Sequence, residues 1–312
     1  MILRSVALPD RGHGVTVSRS GSLAVAFARH PRAFALAFDP AGHREPVLFN
    51  APDGRHFYGH GAFAHGDSLL FATENDYAAA RGVIGVYDVA AAFRRIGEID
   101  IGGVGPHEIL AMPDGRTLAV AVGGIETHPD AGDAKLNLAT MSPALAFIDA
   151  ASGDVTASHK LDPALHQLSI RHLAVDGNGA VWFGCQYEGP AGDLPPLIGR
   201  ATADAAPSMV VAAERDWAAL RNYVGSVAAS RDGMFVACSS PVAGQIVVLD
   251  RAGIIVGRYT LADGCGLAGL PSRSGFIATS GAGDIVELVD ALTPVARTDL
   301  AFDNHVAFAR LP

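Results

Sequence analysis

Histidine recurs near the start of five similar segments of the sequence. The segments have the sequences RGHGVTV, YGHGAFA, GPHEILA, IRHLAVD and DNHVAFA, and their histidines are His13, His60, His107, His172 and His305. An alternating apolar run follows each histidine, which is the pattern of a β-strand with one buried face. Neutral imidazole is the most common side-chain ligand for transition metals. Five imidazoles in register therefore predict a metal site or a site for an anionic ligand.

The histidines belong to an internal repeat that sets their positions. The interval from His13 to His60 is 47 residues, and the interval from His60 to His107 is again 47. Each copy contains four apolar segments separated by turn sequences such as SRSG, MPDG and SRDG. Four strands in about 40–50 residues are typical of a β-propeller blade. We therefore predict a single all-β domain over residues 1–312, with seven blades of four antiparallel strands. The predicted blade starts lie near residues 13, 60, 107, 172, 225, 266 and 305.

The seventh blade is predicted to be incomplete. The segment HVAFARLP supplies one strand near the carboxyl end, and ILRSVAL supplies another near the amino end. Strands from both termini usually close a propeller, but here only two of four are found. A coding start further upstream would restore the two others and could carry an export signal, which MILRSVALPD itself does not contain.

The first strand of a propeller blade usually lines the central channel, so the histidines are predicted at one channel mouth. The second strands end on the same face, with the sequences ARHP, TENDY, GGIETHP and CQYEG. The turns of the opposite face are ordinary turn sequences, which indicates a structural role for that face. Metal-bound imidazoles need polar partners around them. The predicted supporting or ligand-binding residues are Arg11, His56, Glu74, Asn75, Glu108, Glu126, His128, Arg171 and Gln186.

Composition excludes several classes of partner. The net charge is −9 and no cluster of Lys and Arg occurs, which argues against nucleic-acid binding. No apolar run reaches the roughly 18 residues that a membrane span requires. The three cysteines are too few and too scattered for a disulfide framework.

Three functions fit these patterns. The leading one is a metal-binding propeller, with iron or copper as the favoured metal by analogy with carotenoid-cleaving oxygenases and nitrous-oxide reductase. The second is a non-catalytic module that binds a protein partner or a small ligand, with the histidines holding water. The third is a lactonase-like hydrolase. No nucleophile motif occurs, so no catalytic residue is predicted.

The longer motifs resemble a known family. The segments RHFYGHG, TENDY, GPHE, GGIETHP, KLNLATM, LSIRHLA, QYEG and DNH are similar to an uncharacterised bacterial family of exported seven-bladed propellers, a domain of unknown function. The resemblance extends from about Arg11 to His305. The motif residues shared are the five histidines and the nine supporting residues above, together with Asn137.

The resemblance implies a periplasmic location and a connection to iron uptake. Genes of the family often lie beside imelysin-type and di-haem-type genes that are thought to serve iron uptake. The implied partners are a metal or small ligand and periplasmic iron-uptake proteins. The role of the family is not established, so the resemblance implies no catalytic residues.

Overall fold

The computed structural model describes residues 4–309 and is built almost entirely from β-strands. Within these residues, 24 strands form six four-stranded sheets in which neighbours along the chain pair antiparallel. The one α-helix of this part of the chain, α1 (Glu214–Leu220), has seven residues. No helix in the described region is long and apolar enough to cross a membrane.

Each sheet is one β-propeller blade made from four consecutive strands. The first three blades contain β1 (Gly12–Val17), β2 (Ala24–Ala28), β3 (Phe34–Phe38), β4 (Val47–Asn50), β5 (Arg55–Ala64), β6 (Leu69–Asp76), β7 (Arg81–Asp88), β8 (Arg94–Asp100), β9 (Pro106–Ala111), β10 (Thr117–Val122), β11 (Ala144–Asp149) and β12 (Val155–Lys160). The other three contain β13 (Leu168–Val175), β14 (Val181–Tyr187), β15 (Ile198–Thr202), β16 (Ala205–Met209), β17 (Ser226–Ala229), β18 (Phe235–Ser240), β19 (Gln245–Asp250), β20 (Ile255–Thr260), β21 (Gly264–Gly269), β22 (Phe276–Ser280), β23 (Asp284–Leu288) and β24 (Leu292–Arg297). The predicted all-β fold of four-stranded antiparallel blades is confirmed.

The prediction of seven blades is wrong, because the described residues form six complete blades. Around His305 only an isolated bridge to Leu267 forms, and residues 4–8 form no strand. The remaining residues of the two predicted closing segments, 2–3 and 310–312, lie outside the described part. A strand is stabilised by the ladder it shares with neighbours, and a lone pair of strands is marginal in water. Within residues 4–309 neither segment has a partner strand that would complete a blade.

The chain divides into two compact units, one of residues 1–137, 146–156 and 307–312, the other of residues 138–145 and 157–306. In the first unit, aromatic rings fill the space between blades one and two, where Phe49 stacks on Phe93 with ring centroids 4.8 Å apart. In the second unit, Ile246 and Leu288 belong to a core between blades five and six. The single-domain assignment stays a prediction.

Candidate functional site

A β-bulge lies at His13 in blade one and at His107 in blade three. In β1 the pairing passes from Gly12 opposite Ala28 to Val15 opposite Ala26, so His13 and the next residue face one partner. In β9 the same shift occurs around His107. A bulge breaks the alternation of side chains and re-aims them, and bulges are common next to functional sites. The histidine side chains therefore do not follow the two-residue period of their strands.

Blade two has the widest irregularity of the series. Between Phe57 and Gly61, three residues of β5, ending with His60, face Thr73 alone. The inner strand of blade five, β17, pairs regularly and has no histidine at this position. Blade six has a bulge without a histidine, between Gly264 and Leu267. His13, His60 and His107 thus lie at irregularities of their strands, whereas His56 of β5 is regularly paired with Asn75 and blade six has a bulge without a histidine.

Three of the five predicted histidines come together in the first unit. The candidate ligand nitrogens of His13, His60 and His107 all lie within 4.8 Å of one another. Their ring centroids are separated by 5.0 Å (His13 to His60), 5.4 Å (His13 to His107) and 4.8 Å (His60 to His107). The rings are tilted by 58° to 88° rather than stacked, which brings nitrogens together instead of ring faces. We call these three residues the histidine triad.

The separations between the triad nitrogens are only slightly longer than those in a metal site. Nitrogens bound at about 2.0–2.1 Å to a tetrahedral ion lie about 3.4 Å apart. Ring rotations that shorten the longest separation by about 1.4 Å would meet that geometry. His60 and His107 are 6% and 8% exposed, and His13 is half-buried. Both ring nitrogens of His13, and Nε2 of His60 and of His107, are buried, so the site is shielded from solvent.

Two glycines allow His13 and His60 to approach. A Cβ atom on Gly59, whose φ is +103°, would lie 2.4 Å from Cδ2 of His13. A Cβ atom on Gly14 would lie 2.4 Å from the carbonyl oxygen of Gly59 and 3.0 Å from Nδ1 of His60. Neither position has room for a side chain. The glycines beside the histidines thus set the distance between blades one and two at the triad.

Thr73 connects the backbones of the other two triad residues. Its hydroxyl lies 3.1 Å from the carbonyl oxygen of His60 and 3.2 Å from that of His107, and it donates to both. Thr73 is fully buried. One side chain of β6 therefore fixes the spacing between the inner strands of blades two and three.

The other two predicted histidines form a pair in the second unit. The rings of His172 and His305 have centroids 5.1 Å apart and are tilted by 52°. Burial, aided by the positive charge of Arg171, lowers the pKa of His172 to about 3. Its imidazole is neutral near pH 7, the form that binds metals. A single site of all five histidines stays a prediction.

A family model described as "Protein of unknown function (DUF1513)" matches residues 6–309. The chain belongs to this family. The match covers nearly the whole chain and confirms the predicted membership of a family of unknown function, whereas export and the gene context stay predictions. No curated protein matches the chain. Because the description of the DUF1513 family names no activity, the function is argued from the site.

The predicted supporting residues His56 and Asn75 contact each other in this DUF1513 chain. His56 is 1% exposed; its Nδ1 donates to the carbonyl oxygen of Phe57 at 3.0 Å, and its Nε2 accepts from the amide of Asn75 at 3.0 Å. That amide also donates to the carbonyl oxygen of Thr127 at 3.1 Å. Burial lowers the pKa of His56 to about 4. The two side chains attach the segment after β10 to blade two.

Glu74 lies in an ion network inside blade two. Its fully buried carboxylate accepts from the hydroxyl of Tyr87 at 2.6 Å, from Arg95 at 3.0 and 3.1 Å, and from Arg55 at 3.2 Å. Burial and the neighbouring Glu74 carboxylate raise the pKa of Tyr87. The contacts of Glu74 are therefore with this network.

The segment after β10 contains two more predicted residues. Nδ1 of His128 accepts from the backbone N–H of Asp130 at 3.2 Å and caps a 3-10 turn. The backbone N–H of Glu126 donates to the side-chain oxygen of Asn137 at 2.8 Å, and the Asn137 amide donates to the carbonyl oxygen of Gly124 at 2.9 Å. Asn137 thus closes this segment into a fixed loop.

The remaining predicted residues are spread over both units. Arg11 is exposed, and Glu108 is half-buried beside His107 in the bulge of β9. Arg171 is the extra residue of the bulge in β13. The side-chain amide of Gln186 lies 3.5 Å from the carbonyl oxygen of Val224.

Residues that shape the triad were missed in the sequence. Thr73, Gly14 and Gly59 are not residues that commonly bind metals, so ligand-type side chains do not point to them. The two-residue period of β6 places the side chains of Thr73 and Glu74 on opposite faces of the sheet. This period indicates that the two side chains have different neighbours. The glycines next to His13 and His60 were a second indication, since glycine often marks close backbone approach.

Proposed function

We propose that this protein binds one transition-metal ion through the histidine triad. The observation that carries the proposal is the convergence of three imidazoles, with candidate nitrogens within 4.8 Å, from the inner strands of three successive blades. Rigid strands hold such side chains more accurately than loops do. The two glycines and Thr73 support the proposal, because each constrains the spacing of triad residues.

Iron or copper is the metal we propose. Imidazole nitrogen binds iron, copper, zinc and nickel well, whereas magnesium and calcium prefer oxygen ligands. Three neutral imidazoles leave the charge of the ion uncompensated and leave positions for water or a small anion. Those positions would permit redox chemistry with oxygen or simple storage and transfer of the ion.

A periplasmic location and a role in iron uptake are parts of the same proposal. They are supported by the resemblance of motifs such as RHFYGHG and GGIETHP to an exported bacterial family. Periplasmic iron-uptake proteins would be the partners that deliver the ion to the triad or receive it.

The test is metal binding by untagged, chelator-stripped protein. Fe(II) without oxygen, Cu(II) and Zn(II) are titrated separately, and bound metal is counted by elemental analysis. We expect one equivalent of at least one metal. We expect His60→Ala combined with His107→Ala to weaken its binding at least about 100-fold, because two of three ligands are lost. His107→Gln serves as a variant of similar volume if the double variant does not fold.

His43→Ala is the matched control, since His43 is exposed and outside the triad. It should bind metal as the unmodified protein does. Equal binding by the control and the double variant would refute the triad as the site. Binding below a tenth of an equivalent for every metal would instead favour a non-catalytic module.

A further inference from the structure

A cavity lies at the carboxyl ends of the strands that carry the triad. His13 and His107 are the second residues of β1 and β9, and His60 lies in the middle of β5. The same three strands end at the turns that surround a cavity of about 450 Å³. Small-molecule sites usually have volumes of about 300–1,000 Å³. The sequence indicated only a structural role for these turns.

The inner surface of the cavity combines apolar and polar atoms. Its apolar part is formed by Val17, Met112 and Pro113, together with Phe63, which is 8% exposed. Such a lining accepts a hydrocarbon chain or ring, because burial of apolar surface is favourable. Methionine adapts to ligands of different shape.

Most of the charged groups around the cavity are already engaged. The two carboxylate oxygens of Asp67 accept from the backbone N–H groups of Arg19 and Ser20 at 2.9 and 3.0 Å. A left-handed backbone at Asp67, with a φ of 70°, accompanies these contacts. Arg116 is held by Asp149, to which its Nε donates at 2.7 Å.

Arg19 is the exception. Its side chain lines the cavity and is exposed, and within residues 4–309 its guanidinium takes part in no hydrogen bond or ion pair. A guanidinium offers two parallel N–H donors that match a carboxylate. The cavity thus combines apolar side chains with one guanidinium, that of Arg19, which no carboxylate of residues 4–309 engages.

We propose that this cavity binds a small amphipathic carboxylate. The hydrocarbon part lies against Val17, Phe63 and Met112, and the carboxylate pairs with Arg19. The proposal concerns a region separate from the triad and does not depend on metal binding.

Calorimetric titration with octanoate tests the proposal, with octanol and octylammonium as comparison ligands. We expect octanoate to bind more tightly than octanol and octylammonium to bind least. Arg19→Gln should weaken octanoate binding about tenfold or more and leave octanol binding unchanged. Ala111→Phe, which fills the cavity from an exposed lining position, should weaken both.

Arg94→Gln is the control, because Arg94 is an exposed arginine outside the cavity lining. Octanoate affinity that is equal in Arg19→Gln and Arg94→Gln would overturn the proposal. No octanoate binding at millimolar concentration, or equal binding of octylammonium, would overturn it as well. The metal content of Arg19→Gln should equal that of the unmodified protein, so failure at one site leaves the other testable.

Discussion

At the residue scale, the triad depends on glycines as much as on histidines. Gly59 adopts a φ of +103°, and the ring of His13 occupies the place where a side chain would be. Imidazole rings can converge here because blade two presents bare backbone to blade one. A glycine that cannot bind a metal is therefore as necessary for the geometry of the site as the histidines.

Gly59→Ala should weaken metal binding at least tenfold, because the new methyl group displaces His13. It should also lower the free energy of unfolding by about 1–3 kcal/mol through backbone strain and overpacking. Metal titration and urea unfolding measure the two effects.

Gly54→Ala is the matched control, since Gly54 has a φ of +78° but no atom lies within 4 Å of the place that its Cβ would take. It should share the backbone strain and keep the metal affinity. If the two variants bind metal equally well, the glycine does not position the triad.

His56 should make the stability of the protein depend on pH. Its pKa is near 6.5 when the chain is unfolded and about 4 in the folded protein. Between these values the unfolded state binds more protons, so the free energy of unfolding falls as the pH is lowered from 6.5 to 4. The difference in pKa corresponds to at most about 3 kcal/mol.

Urea unfolding at pH 7 and pH 4 measures this dependence. In His56→Gln the decrease between the two pH values should be smaller by up to about 3 kcal/mol, while contributions from other histidines stay equal in both proteins. An unchanged decrease would show that the burial of His56 does not govern its protonation.

At the scale of elements, the bulges and β6 together position the histidines of the triad. The bulges turn the histidines out of the alternating pattern, and Thr73 then ties the carbonyl groups of His60 and His107 to β6. Alternation of hydrophobic residues predicts strands well, because it follows from the pleat. It cannot predict which strand receives an extra residue, and so the aim of the histidines could not be derived from the sequence.

Thr73→Val should lower both stability and metal affinity. The two carbonyl groups lose a buried donor, which costs about 1–3 kcal/mol, and the spacing of His60 and His107 is released. Thr73→Ser keeps the hydroxyl and should restore most of the metal affinity. If serine does not restore it while the fold is intact, the hydroxyl has no positioning role.

Substitution of Glu74 should lower the stability of the protein without affecting metal binding. Removal of its negative charge by Glu74→Gln leaves Arg55 and Arg95 beside a neutral buried amide, and loss of a buried partner of this kind costs about 3–5 kcal/mol. Metal stoichiometry should be unchanged, as the carboxylate contacts Tyr87 and the arginines. Urea unfolding and elemental analysis provide the two measurements, and lost stoichiometry in folded Glu74→Gln would return Glu74 to the metal site.

At the scale of the whole molecule, the repeat predicted the blades but not their number. Turn sequences such as MPDG and alternating apolar segments are local features, and the four-stranded antiparallel blades follow from them. The prediction of a further blade rests on single strands near the two ends, where residues 4–309 form no partner strand. His305 accordingly lies beside Leu267 in an isolated bridge.

The central claim is that the triad holds a metal ion, and an anomalous-scattering map of metal-loaded crystals tests it most directly. Data collected at the absorption edge of the bound metal should show one peak about 2.0–2.2 Å from a ring nitrogen of each of His13, His60 and His107. A map from fully loaded crystals with no peak at these residues, or with its peak at other side chains, would contradict the account.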